Sequence, residues 1–295
     1  MIVNHNGTAP GFYMKINKCM FFFMPGVPSE MKLMFEREIK QILTNEYKLN
    51  DDILIERLTV FGLAESRVGS LLEGFETKFP RMRLGFRADF PVIEVKIILL
   101  DSDKDNQNAK FDMTKAKQWA VSQLENKVVS TQGLSIAQEI GHLLTKEKKT
   151  LAVAESCTGG LISNMATDVA GSSDYFLFSG ITYSNDAKMN ILNVQQETII
   201  EYGAVHEQTA LEMAQGARLK GNADYAISTT GIAGPGGGTR EKPVGMVCIG
   251  LSGPSISMAR TYRFSFGDRL RNKKIFAMMA LELLRRHLVS TAETS

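Results

Sequence analysis

The chain has 295 residues, 44% of them hydrophobic and 22% charged, with a formal net charge of +2. That size provides core for about two globular domains, and the near-neutral charge excludes a global field that would select nucleic acid or an anionic membrane. Three widely spaced cysteines, Cys19, Cys157 and Cys248, argue against a disulfide framework and fit a reducing, cytoplasmic setting, and apolar runs such as 20–24 (MFFFM) are too short to span a bilayer.

Three regions separate along the chain. In 1–47, the apolar run 19–24 (CMFFFM) predicts a buried strand. A PGVP turn follows, and Ser29 is placed to cap a helix running to about 43. One strand and one helix cannot enclose a core, so this region reads as the remnant of a larger domain. The opening residues show neither a basic stretch nor an apolar stretch of the signal-peptide kind.

In 48–130, a strand is predicted at 53–62, a helix at 64–75, a strand at 92–100, a polar loop at 101–108 and an amphipathic helix at 110–126. Together they suggest a small α+β domain.

In 131–295, helices and strands alternate: helix 134–146, strand 150–154, helix 159–169, strand 175–183, helices 195–202 and 206–219, strand 224–229. Two further strands, 244–252 and 256–264, are joined at a Gly-Pro as a hairpin, and a helix at 270–289 follows. This pattern predicts a three-layer α/β/α sandwich with a mixed sheet. Ligands in such sheets bind on the loops beyond the strand ends.

Four segments could carry chemistry. In 155–160 (ESCTGG) a strand meets a helix N-terminus whose free amides can face a ligand. It is no Walker loop, because no lysine follows the glycines at the required spacing. Cys157 is a nucleophile if a neighbour lowers its pKa, and otherwise a small buried residue beside a helix cap. In 171–188, Ser172 and Ser173 precede a strand that Tyr183 and Lys188 follow. A serine beside a desolvated lysine is a nucleophile–base pair; the plain alternative is a serine turn and a solvated lysine. In 229–238 (TTGIAGPGGG), Thr230 and Gly231 sit at a strand end, and the glycines beyond read as a surface loop. Between Arg260 and Arg286, eight basic residues face only Asp268 and Glu282. Arg269 there opens a helix against its dipole, a conflict that a bound phosphate would remove. The four histidines are too dispersed to suggest a metal site.

As an ordered set, AESCTGG, AGSSDYF, YSNDAK, GAVHEQT, TTGIAGPGGG, EKPVG and FGDR resemble the CinA family. The match covers about 131–295 and corresponds to that family's C-terminal amidase domain. GFRADFP resembles its KH-like middle domain, although no GxxG loop is present and RNA binding is not expected. NGTAPGF and MPGVPSEMK resemble the end of its molybdopterin-binding-like N-terminal domain. The resemblance begins inside that domain, so the chain reads as a short form or a fragment without the ADP-ribose pyrophosphatase activity of the fuller domain.

The resemblance implies deamidation of nicotinamide mononucleotide by a Ser/Lys pair, with no metal or redox cofactor and with a homodimeric assembly. Carried over by motif, the catalytic residues are Ser173, Lys188 and Tyr183. Glu155, Ser156, Thr158, Gly159, Gly160, Thr230, Gly231 and Arg269 would line the substrate pocket. Two other readings stay open: an amidase using Cys157 with Glu155 and Lys188, and a non-catalytic nucleotide-binding module tied to competence or DNA damage.

Overall fold

The computed structural model describes residues 1–47, 54–99 and 107–292. The chain forms two compact units, one of residues 1–54 with 99–110, the other of 55–98 with 111–295.

In the first unit, strands β1 (Phe12–Ile16) and β2 (Cys19–Phe23) form an antiparallel hairpin in which Phe12 pairs with Phe23 and Ile16 with Cys19. Asn17 takes the left-handed turn position, which asparagine tolerates. The apolar run expected to be buried is not: β2 alternates half-buried and exposed residues, and β1 is exposed throughout. The helix α1 (Pro28–Met34) starts one residue before Ser29 and is entered through Pro28, without a side-chain cap. Proline suits the first helical turn because its missing N–H has no partner there in any case. A π-helical segment, Phe35–Ile39, leads into α2 (Lys40–Tyr47). Ile2, Met34 and Ile39 make a small core of their own.

The next elements are β3 (Ile55–Phe61), α3 (Glu65–Leu71), α4 (Phe75–Lys78), β4 (Met82–Asp89), β5 (Val92–Leu99), α5 (Gln107–Leu124) and β6 (Val128–Ser130), which belong to the second unit apart from Leu99 and the first turn of α5. Their sheet has the order β4-β5-β3-β6, with β3 antiparallel to both β5 and β6. Strands β4 and β6 were not anticipated; β4 carries glycine and charge, and β6 is only three residues long. The loop expected at 101–108 lies largely outside the described residues, and its last two positions belong to α5. Met113, Ala116, Ala120 and Leu124 give α5 a buried face at helical spacing.

The remainder holds α6 (Ile136–Lys146), β7 (Leu151–Glu155), α7 (Leu161–Thr167), β8 (Phe176–Ile181), α8 (Asn185–Leu192), α9 (Gln196–Tyr202), α10 (Glu207–Gly221), β9 (Tyr225–Gly231), β10 (Met246–Ser252), β11 (Ser257–Arg263) and α11 (Arg269–Ala292). The five strands form a mixed sheet ordered β11-β10-β9-β7-β8. β7 runs parallel to β8 and β9, while β10 is antiparallel to β9 and β11. Strand β7 is wholly buried. Leu151 and Val153 pack in the cluster that contains residues of α6 and α11, and Ala152 and Ala154 pack on the opposite face with Leu192 and Met213. Helices on both faces explain why its sequence, LAVAE, lacks polar alternation. Phe61 and Val129 enter the same cluster as Ile136 and Ile140. Among the described residues, no helix is long and apolar enough to cross a membrane.

Candidate active site

The parallel strands deliver several of the expected residues to one end of the sheet. Glu155 ends β7, Thr182 and Tyr183 follow β8, and Gly231 ends β9. The carboxyl ends of parallel strands are where an α/β sheet leaves room for a ligand.

Glu155 has a structural part here. Its carboxylate is fully buried and accepts the amides of Gly160 (2.9 Å), Ile162 (3.2 Å) and Ser163 (2.9 Å), together with the Ser163 hydroxyl at 2.6 Å. An anion at the first turn of α7 satisfies donors that have no intrahelical partner. The amides of Gly160 and the first turn of α7, expected to cradle substrate, are therefore already occupied. Gly159 and Gly160 take φ of +59° and +92°, values that side-chain-bearing residues rarely adopt, and they let the chain double back onto Glu155. Thr158 is buried and its hydroxyl pairs with that of Thr229 at 2.7 Å, so it braces the turn against β9.

Ser156, between Glu155 and the turn, meets Lys188. The backbone of Ser156 is fixed by its N–H donating to Thr229 O at 3.0 Å. Ser184 caps α8 by accepting from the Ala187 amide, which fixes the helix start. Lys188 lies in the first turn of α8, and helical side chains lean back toward the N-terminus. Its ammonium returns to the strand end, donating to Ser156 Oγ (3.1 Å), Thr182 O (2.9 Å) and Tyr183 O (3.1 Å). The side chain is 1% exposed, and no carboxylate among the described residues is hydrogen-bonded to it. Burial pushes its pKa down to about 8, because desolvation penalises the charged form.

Cys157 has the opposite electrostatic fate. Burial pushes its thiol up to about 12, so it stays protonated at neutral pH and is a poor nucleophile. The turn exposes only 5% of the residue.

Ser173 does not join this group. It lies exposed in a 3-10 turn, Ser172–Asp174, ahead of β8, whereas Lys188 follows that strand. The six residues of β8 separate the two by roughly 20 Å at the rise of an extended chain. The serine that meets the lysine is Ser156, to which the family resemblance assigns only a place in the pocket wall.

The other expected residues divide in the same way. Thr230 is buried on the far face of β9, its hydroxyl donating to Ala204 O at 2.6 Å. Alternation along the strand sends Thr229, not Thr230, toward the ESCTGG turn. Gly231 backs onto β10; a Cβ there would lie 2.5 Å from Met246 O. Tyr183 is 61% exposed, and its hydroxyl accepts from Arg269 at 3.2 Å. Arg269 also donates to Gly234 O at 2.7 Å. It thus ties the loop after β9 to the loop after β8. The dipole conflict foreseen at the start of α11 is relieved by Asp268, whose carboxylate accepts the Arg271 amide at 2.7 Å. Among the described residues, no group of three His, Cys, Asp or Glu side chains is placed to hold a metal.

Thr182 and Asn272 stand out here although the sequence motifs do not point to them. Both are buried, and Thr182 Oγ1 and Asn272 Oδ1 have no hydrogen-bond partner among the described residues. Thr182 directly precedes YSNDAK and Asn272 lies three residues after FGDR, and that proximity is the signal the sequence offers.

The model of the CinA C-terminal domain family matches residues 134–288. A CinA-like protein of Desulforapulum autotrophicum is 50% identical over 98% of this chain and 69% of its own length. One from Desulfosudis oleivorans is 48% identical over 98% and 70%. A crystal structure of a competence or damage-inducible protein from Enterobacter asburiae is 33% identical with a TM-score of 0.50, covering 52% of this chain and 96% of its own.

Proposed function

Because the chain belongs to the CinA family, we propose that it is an amidohydrolase converting nicotinamide mononucleotide to nicotinic acid mononucleotide and ammonia, with Ser156 as nucleophile and Lys188 as its base. The observation that carries this reading is the buried Lys188 ammonium, 3.1 Å from Ser156 Oγ and displaced to a pKa of about 8. At pH 7 about a tenth of such lysine is neutral, against roughly three parts in ten thousand at the ordinary lysine pKa. A neutral amine retains two N–H groups for the carbonyls of Thr182 and Tyr183 and turns its lone pair to the Ser156 hydroxyl.

Ser156 Oγ attacks the carboxamide carbon as its proton passes to Lys188 Nζ. The C–N bond breaks, and ammonia leaves with the proton returned from Lys188. Water then attacks the acyl ester, its proton passing through Lys188 to Ser156, and the carboxylic acid departs. Tyr183 and Arg269, joined at 3.2 Å, form the rim over which the substrate enters. The protonated, buried thiol of Cys157 weighs against a cysteine mechanism.

Ammonia release measured on nicotinamide, its riboside, its mononucleotide and the dinucleotide tests the reading. Turnover is expected on the mononucleotide and is lost in Ser156→Ala and Lys188→Ala. Turnover on none of the four, or wild-type turnover in both variants, overturns it.

A further inference from the structure

Lys273 stands against the catalytic turn without a partner. It is half-buried in the first turns of α11. A Cβ built on Gly159 would lie 3.4 Å from its Nζ. It makes no hydrogen bond or ion pair with any described residue. Its neighbours are committed elsewhere. Arg269 donates to Gly234 O and to the Tyr183 hydroxyl, and Asn272, fully buried, donates to Ala233 O at 3.0 Å. These bonds pin the start of α11 to the loop after β9 and hold the Lys273 backbone beside the turn. Gly159 N donates to Ser156 O at 3.1 Å. A turn closed this way keeps its end Cα atoms within about 7 Å.

A cation thus stands beside Gly159, one turn of chain from Ser156, over a residue with no side chain to block approach. The first-turn amides of α7 are occupied by Glu155 and offer no rival anion site. Leaving an ammonium partly desolvated and unpaired is unfavourable unless an anion completes it.

We propose that Lys273, not Arg269, binds the phosphate monoester of the substrate and sets the preference for a mononucleotide over its phosphate-free riboside. The inference rests on the amidase reading for the identity of the substrate. Arg269 is instead a strut between two loops.

The test is calorimetric titration of the full chain with nicotinamide mononucleotide and with nicotinamide riboside, alongside ammonia release. Wild type, Lys273→Gln, Lys273→Arg and Lys274→Gln are compared. Lys274 is the exposed neighbour and controls for loss of a positive charge as such. Wild type is expected to bind the mononucleotide at least tenfold tighter than the riboside. Lys273→Gln removes most of that ratio with little change for the riboside, Lys273→Arg restores much of it, and Lys274→Gln keeps it. A ratio in Lys273→Gln within twofold of wild type overturns the proposal, as does equal loss in Lys274→Gln or no phosphate preference in wild type. Lys273-dependent binding without ammonia release would sink the amidase reading and leave the phosphate site standing. Ammonia release with an unchanged ratio would do the reverse.

Discussion

Lys188 Nζ and Ser156 Oγ, 32 positions apart in the chain, lie 3.1 Å from one another at the carboxyl end of the mixed sheet. The cap at Ser184 aims the lysine and the bond to Thr229 holds the serine. Burial holds the lysine's proton weakly, and no carboxylate among the described residues pairs with it to offset that.

Ser156→Ala should lower kcat by about a thousandfold or more, because it removes the attacking atom. Ser173→Ala, exposed and at the other end of β8, should stay within about twofold of wild type. Steady-state ammonia release on the two variants checks the assignment, and a reversed pattern would restore Ser173.

The pH dependence follows from Lys188. With its folded pKa near 8, kcat/KM should rise tenfold per pH unit below about 8 and level off above it. The same shift acts on stability. Between about pH 8 and the unfolded value near 10.5, the unfolded chain binds the extra proton. Unfolding free energy therefore rises with pH across that window, by about 3 kcal/mol in total. Lys188→Met should flatten this part of the curve in urea titrations repeated from pH 7 to 10.5.

Cys157 should be dispensable for chemistry. Its raised pKa and near-complete burial predict that iodoacetamide leaves the folded protein unlabelled there at pH 7.5. Cys157→Ala should retain turnover within about threefold. Mass spectrometry of the labelled native protein reads the first outcome, and initial rates read the second.

Glu155→Gln replaces an acceptor of four hydrogen bonds with a group whose NH2 faces donors. Losing such charge-assisted bonds in a buried site should lower stability by about 2–4 kcal/mol. It should also reduce kcat more than it raises KM, because it loosens the turn that carries Ser156. Chemical denaturation and a full rate curve on the same sample distinguish these effects.

Gly231→Ala brings a Cβ to 2.5 Å from Met246 O. The backbone must shift, and a loss of about 1–3 kcal/mol is expected, measurable as a lower midpoint in thermal unfolding.

Much of the sandwich was legible in the sequence. LAVAE, the Gly-Pro hairpin of β10 and β11 and the long α11 are strongly patterned segments whose character local composition sets. In the middle sheet, β4 alternates Met82, Leu84, Phe86 and Ala88 with Arg83, Gly85, Arg87 and Asp89, a strand signal that its glycine and charges mask, and β6, at three residues, is too short to carry a pattern. The exposed β1–β2 hairpin was misjudged because an apolar run says nothing about what covers it. At the site, motif order brought Lys188, Tyr183, Ser156 and Arg269 to notice, but not their partners. The hydroxyls of Thr229 and Thr230 are equivalent in sequence and point to opposite faces.

Local residue chemistry by itself determined that this chain builds an α/β sandwich and that serines and Lys188 lie in the segments flanking its strands. Only the tertiary structure decided which serine meets the lysine. Parallel pairing of β7 and β8 puts the residue after β7 and the residues after β8 at one end of the sheet. The residues before β8 go to the other end, a strand length away, and no side chain can cross that distance.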